Sequence, residues 1–164
     1  MTRPRSSHYV LGVSLAVLAI CWAVARPAAP DPSDREVAAA AALRYAVEQL
    51  EGDASTATVV CVAVDSGSGP HDPDRALLER IGSLRRVVAG STCHTTEAGV
   101  VQTRAGQPAV VLTAGAVDWV SKNDATVEVA HAATPSRSGR RTYRVMREAA
   151  TWVALGQVLK DGPL

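Results

Sequence analysis

Phenylalanine is absent from the 164 residues, and aromatic side chains make up only 4%. A core must therefore be assembled from small aliphatic groups, chiefly alanine and valine, each burying modest area. A charge excess of either sign is also missing, since 17 basic against 16 acidic residues give a net charge of +1. That balance excludes a generally basic nucleic-acid binder, whose footprint is a strong positive excess. An apolar content of 47% excludes a long disordered chain, which combines low hydrophobicity with high net charge. At about 150 residues per domain, the length is that of one domain.

Catalytic and nucleotide-binding signatures are lacking too. No G-x-S-x-G, H-E-x-x-H or EF-hand pattern occurs. The D-S-G-S-G-P run from Asp65 to Pro70 matches neither phosphate-loop spacing and reads as a flexible loop. A zinc site usually contains a C-x₂₋₄-C or H-x₃₋₅-H pair, and neither is present. No metal and no cofactor are expected. Cys93 as a nucleophile would need a base beside it, but neighbouring side chains on an extended chain, such as His94, point apart.

The most informative segment comes first in the chain. Arg3 and Arg5 precede an uncharged apolar run, Tyr9 to Ala25, which Arg26 ends. A basic start, an apolar stretch and a small-residue exit at Ala23-Val24-Ala25 are the parts of a secretory signal. A signal core spans about 7–15 residues and a membrane-spanning helix about 17–25, so the run fits either a cleaved signal or a retained anchor. The leading arginines favour an orientation that exports the remainder in both cases. Leu18-Ala19-Ile20-Cys21 offers a third outcome, lipidation at Cys21, although Ile20 stands where that pattern wants a small residue.

Setting Cys21 aside leaves Cys61 and Cys93, an even number in a compartment that permits disulfides. We expect them to be bridged.

Beyond the export segment (residues 1–25), residues 26–33 hold three prolines and read as a stiff linker. Residues 34–164 read as one extracytoplasmic α+β domain. Ser33 and Glu36 form a capping box before an alanine-rich helix over about 34–51, with Gly52 just past its end. Thr58 to Val64 is β-branched and reads as a strand. Asp72-Pro73-Asp74 opens a second helix, with Leu77, Leu78, Ile81 and Leu84 as its buried stripe. A short Val87-Val88 extension leads to Cys93, placed in a loop. From about residue 100 the period becomes two. Val110 to Val120, Thr126 to Ala133, Arg141 to Arg147 and Trp152 to Leu159 predict four strands. Their short connections, at 122–124 and 135–139, favour an antiparallel meander. The expected fold is thus an N-terminal hydrophobic helix, then helix–strand–helix, then a four-stranded antiparallel meander.

The ending R-T-Y-R-V-M-R … T-W-V-A-L, Arg141 to Leu155, resembles the last hairpin of NTF2-like domains, where a tyrosine strand precedes a tryptophan strand. The element order over about residues 34–160 is similar to that family as well. The chain departs from it in having one helix, not two, before the first strand, and in its expected disulfide. A cystatin-like sheet wrapped on a helix is the neighbouring arrangement. The resemblance implies an α+β fold with a pocket, but such domains host enzymes, ligand binders and dimerisation modules, so function stays open.

Among candidate site residues, Asp118 and His131 are the tempting acid–base pair. Counting from the turn near 121–124 puts Asp118 opposite Val127. His131 then lies four residues, about 13 Å, further along, too far for proton transfer. On that register both face the same side as Val127 and Val129, as walls of a pocket that Tyr143 joins. Arg140, Arg141, Arg144 and Arg147, with Arg137 nearby, crowd one hairpin as a candidate anion patch. The plainer reading is a charged strand that discourages edge pairing. Without Arg3 and Arg5 the basic count falls to 15 against 16 acidic, so no nucleic-acid partner is expected. Trp119 and Trp152 are expected in the core.

The reading that follows is an exported or membrane-tethered binding or interaction domain of the cell envelope. Its partners would be the membrane, through an uncleaved N-terminal segment, and a protein or small ligand. A small enzyme with an NTF2-like pocket is one alternative, and a structural accessory protein of a membrane complex is another.

Overall fold

In the computed structural model, which describes residues 31–52, 59–82 and 86–158, the first helix begins earlier than the Ser33 box implies. Helix α1 spans Pro32–Gly52. Asp31 caps it, its Oδ1 accepting from the Ser33 backbone N–H at 3.0 Å. Pro32 sits at the first helical position, where its missing N–H costs nothing and its fixed φ suits the turn. Asp31 thereby displaces Ser33 as the cap, and Glu36 is exposed. The export segment, Cys21 and linker residues 26–30 lie outside the described residues. Among the described residues no helix is long and apolar enough to cross a membrane.

The buried face of α1 is nearly all alanine: Ala38, Ala39, Ala42 and Ala46 line it around Leu43 and Val47. Small side chains bring the helix axis close to what it covers, and it covers a sheet. Seven strands form that sheet. They are β1 (Val59–Asp65), β2 (Pro70–His71), β3 (Arg86–Ala89), β6 (Ala109–Ser121), β7 (Asp124–Thr134), β8 (Arg137–Glu148) and β9 (Thr151–Val158). Their order is β2-β1-β6-β7-β8-β9, with β3 also on β1. Helix α2 (Arg75–Ile81) lies between β2 and β3 in the chain, capped by Asp74, whose side chain accepts from the Leu77 N–H.

The α+β class and the four-stranded antiparallel meander (β6 to β9) agree with the sequence reading. The strand inventory does not. The first predicted strand is central, pairing in parallel with both β3 and β6. That position explains its unbroken apolar run. Val60, Val62 and Val64 face the helix, while Val59 and Cys61 join a second cluster with Val101 and Ala109. A strand covered on both faces shows no alternation. The other additions are short: β2, β3, and a separate hairpin of β4 (Cys93–Thr95) and β5 (Val101–Thr103). Two to four residues are too few to display a period.

Cys61 and Cys93 are disulfide-bonded, with Cα atoms 6.3 Å apart. Cys93 is on strand β4, not in a loop as its sequence surroundings imply. Asp72 helps place it: its carboxylate accepts from both the N–H and the hydroxyl of Ser91, in the 3₁₀ turn just before Cys93.

On the sheet face away from α1, Asp124 receives a two-point bond from Arg144, Nε to Oδ1 at 3.1 Å and Nη2 to Oδ2 at 2.7 Å. That hydrogen bonding holds the Asp124 carboxyl below its ordinary value of 3.8. A carboxylate depressed in the fold adds stability that is complete above its unfolded value and is lost as pH falls through its folded one. Asp124→Asn should therefore be less stable than the parent near neutrality, and should lose less additional stability between about pH 4 and pH 2. Urea unfolding at several pH values measures this, and parallel acid profiles for the two proteins would contradict it.

Candidate functional site

The cavity with the most to offer lies between the C-terminal half of α1 and the sheet. Its volume is about 410 Å³, within the roughly 300–1,000 Å³ usual for small-ligand sites. Ala46 and Leu50 line it from α1, Val110 and Leu112 from β6, and Val129, His131 and Ala133 from β7. Arg137, Arg141 and Tyr143 complete it from β8.

Strand pairing explains this membership. His131 is opposite Leu112 on β6 and Gly139 on β8, Val129 is opposite Arg141, and Val127 is opposite Tyr143. Residues two apart share a face, so His131, Arg141 and Tyr143 come together beneath α1. Gly139 leaves room for the imidazole, since a Cβ there would stand 2.9 Å from His131 Cε1. Tyr143 is buried and meets Tyr45 of α1 edge to face, with ring centroids 5.6 Å apart. Arg137 and Arg141 are exposed and stand at the rim.

The electrostatics follow from this placement. Burial, and then the Arg141 charge, push the His131 imidazole below its ordinary value, so it is neutral at pH 7. Burial raises the Tyr143 phenol, with Arg141 acting against that. Among the described residues neither Arg137 nor Arg141 pairs with a carboxylate, and no carboxylate lines the cavity. The site therefore has an apolar floor, a cationic rim, and a neutral imidazole and a phenol between them.

Asp118 is not there. The register expected from the turn holds at Ser121–Asp124, but an irregularity between Trp119 and Ser121 slips it by one residue. Asp118 then pairs with Thr126, and it is Val117 that meets Val127. A one-residue slip exchanges the faces of a strand. Asp118 is exposed, while Val117 is buried with the helix-side core.

The four arginines of the candidate patch are likewise divided. Arg140 binds Glu128 at 3.1 Å, and Arg144 binds Asp124. Arg147, on the helix side, reaches Asp34 of α1 at 3.3 Å, and Asp34 also accepts from the Trp152 indole N–H at 3.4 Å. Only Arg141 belongs to the cavity. Trp152 is buried and packs edge to face on the half-buried Trp119, with centroids 5.4 Å apart, as a core pair.

Leu50 and Ala46 are not among the site residues that the sequence suggests, whereas Arg137 belongs to its arginine crowd. The period-two pattern of β7 and β8 carries a signal for Arg141 beside Tyr143. Nothing local says which face α1 covers. Among the described residues no group of three or more His, Cys, Asp or Glu side chains is placed to hold a metal. Set against family models, curated proteins and solved structures, the chain matches none.

Proposed function

We propose that the chain is an exported binding domain of the cell envelope, released by cleavage or tethered by its N-terminal segment, and that the cavity under α1 receives a small ligand. One observation carries the binding reading: an apolar cavity of about 410 Å³ with a few convergent polar groups and, among the described residues, no carboxylate, serine, threonine or cysteine in its lining. Such a lining suits burial of an apolar body and orientation by a few polar contacts. It lacks the paired acid and base that a proton-transfer enzyme needs. The Cys61–Cys93 bridge supports an oxidising, extracytoplasmic setting. A helix laid across the meander, with Tyr143 beneath it and Trp152 on the next strand, supports the NTF2-like resemblance.

Titration with a neutral apolar dye, N-phenyl-1-naphthylamine, tests the binding reading. The parent should bind one equivalent. Ala133→Trp, which puts an indole at a half-buried position of the lining, should weaken binding at least tenfold. A parent that binds no dye, or a variant that binds it equally well, overturns the assignment.

A further inference from the structure

We propose that the ligand is a small carboxylic acid with a single apolar chain, its carboxylate held at the rim by Arg141 and Arg137 and its hydrocarbon lying against Leu50, Leu112 and Val129. This rests on the cavity being a binding site.

The rim and the floor make different demands. Leu50, Val110, Leu112, Val129 and Ala133 offer only aliphatic surface, so the inner part of the ligand must be apolar. At the mouth, two exposed guanidinium groups have no carboxylate partner among the described residues. This contrasts with their neighbours on the same strand: Arg140, Arg144 and Arg147 each meet an acid. An alkyl amine would face two like charges, whereas an anion would pair with them. The guanidinium fork fits carboxylate and phosphate oxygens in pairs. A monoanion is favoured because a dianion loses more hydration on entering a mostly apolar site. His131 also lines the cavity, where its ring N–H would donate a hydrogen bond to the carboxylate. The cavity lies near the low end of ligand-site volumes, which suits one short chain rather than a two-tailed lipid.

Calorimetric titration of the full domain with octanoate, 1-octanol and octylamine is the test, since the three differ chiefly in the head group. Octanoate should bind at least tenfold more tightly than 1-octanol, and octylamine more weakly than either. Arg141→Gln should cut the octanoate-to-octanol ratio by about tenfold, the usual scale for a hydrogen bond to a charged group. Arg140→Gln, on the opposite face, should keep the parent ratio. Equal binding of octanoate and 1-octanol would leave the cavity a binding site but overturn the acid. Binding of none of the three would overturn both. Co-sedimentation with phosphatidylglycerol vesicles, abolished by Arg141→Gln and accompanied by no octanoate binding, would also overturn it and make the rim a lipid-surface contact.

Discussion

Replacing both bridged cysteines, Cys61→Ala with Cys93→Ala, should lower stability by about 3–4 kcal/mol. The bridge spans 32 residues of sequence, and a cross-link over that length removes roughly this much loop-closure entropy from the unfolded chain. For a domain of this size that corresponds to a fall of about 10–15 °C in melting temperature. The native state points the same way. The β4–β5 hairpin pairs only three residues per strand and joins the main sheet through few contacts. A two-stranded hairpin is marginal on its own. Its ties are the bridge, the Asp72–Ser91 bonds, Val101 in the second cluster and the Gln102–Pro108 pairing. Amide exchange in β4 and β5 should therefore accelerate on reduction well before the main sheet opens. Urea unfolding of the parent and the double variant measures the first effect. Equal midpoints, or two alkylatable thiols in unreduced protein recovered from its native compartment, would remove the staple from the account.

Leu43→Ala should cost about 3–5 kcal/mol, the upper part of the range for such truncations. Leu43 is fully buried and heads the large side chains of the core. What distinguishes it is its company. Ala38, Ala39, Ala42 and Ala46 surround it on the same helix face, none more than 4% exposed. Alanine has no side-chain torsion with which to swing into a void. The space left by Leu43 can close only if α1 itself moves toward the sheet. That movement is opposed where Asp34 is bonded to Arg147 and Trp152, and where Tyr45 packs on Tyr143. The cavity should persist, and its cost with it. Leu43→Met, which roughly keeps volume, should lose less than about 1.5 kcal/mol. Chemical denaturation of the two variants separates these outcomes. A Leu43→Ala loss below about 2 kcal/mol would mean that the helix settles freely and that the alanine face is not the rigid seat described above.

The same alanine face shows why the site was only half legible in the sequence. Period-two runs located β6 to β9 to within a few residues, because each strand is long and has one face against α1. The sequence points to His131 and Tyr143 for one pocket, and both line the same cavity. Counting from the turn puts Asp118 on the face of His131, but it ends on the other face, since one irregularity after Trp119 reverses the strand. Nothing in S-K-N-D or its neighbours announces that slip. The arginines read as one patch by proximity along the chain. Successive strand residues point to opposite faces, and the carboxylates that claim Arg144 and Arg147 stand 20 and 113 residues away.

Sequence alone therefore determined the α+β class, the order of the long elements, the antiparallel meander and the pairing of the two cysteines that follow the apolar run. Each of these depends on local periodicity, turn chemistry or counting. Only the tertiary structure decided that β1 is a central strand paired in parallel with β3 and β6, that β4 and β5 form a separate hairpin, and that Asp118 and His131 part company. It also decided that Arg141 and Arg137 line the mouth of an apolar cavity while Arg140, Arg144 and Arg147 meet acids. These outcomes turn on which distant residues meet, and a slip of one residue in strand pairing, invisible in composition, exchanges the buried and exposed sets.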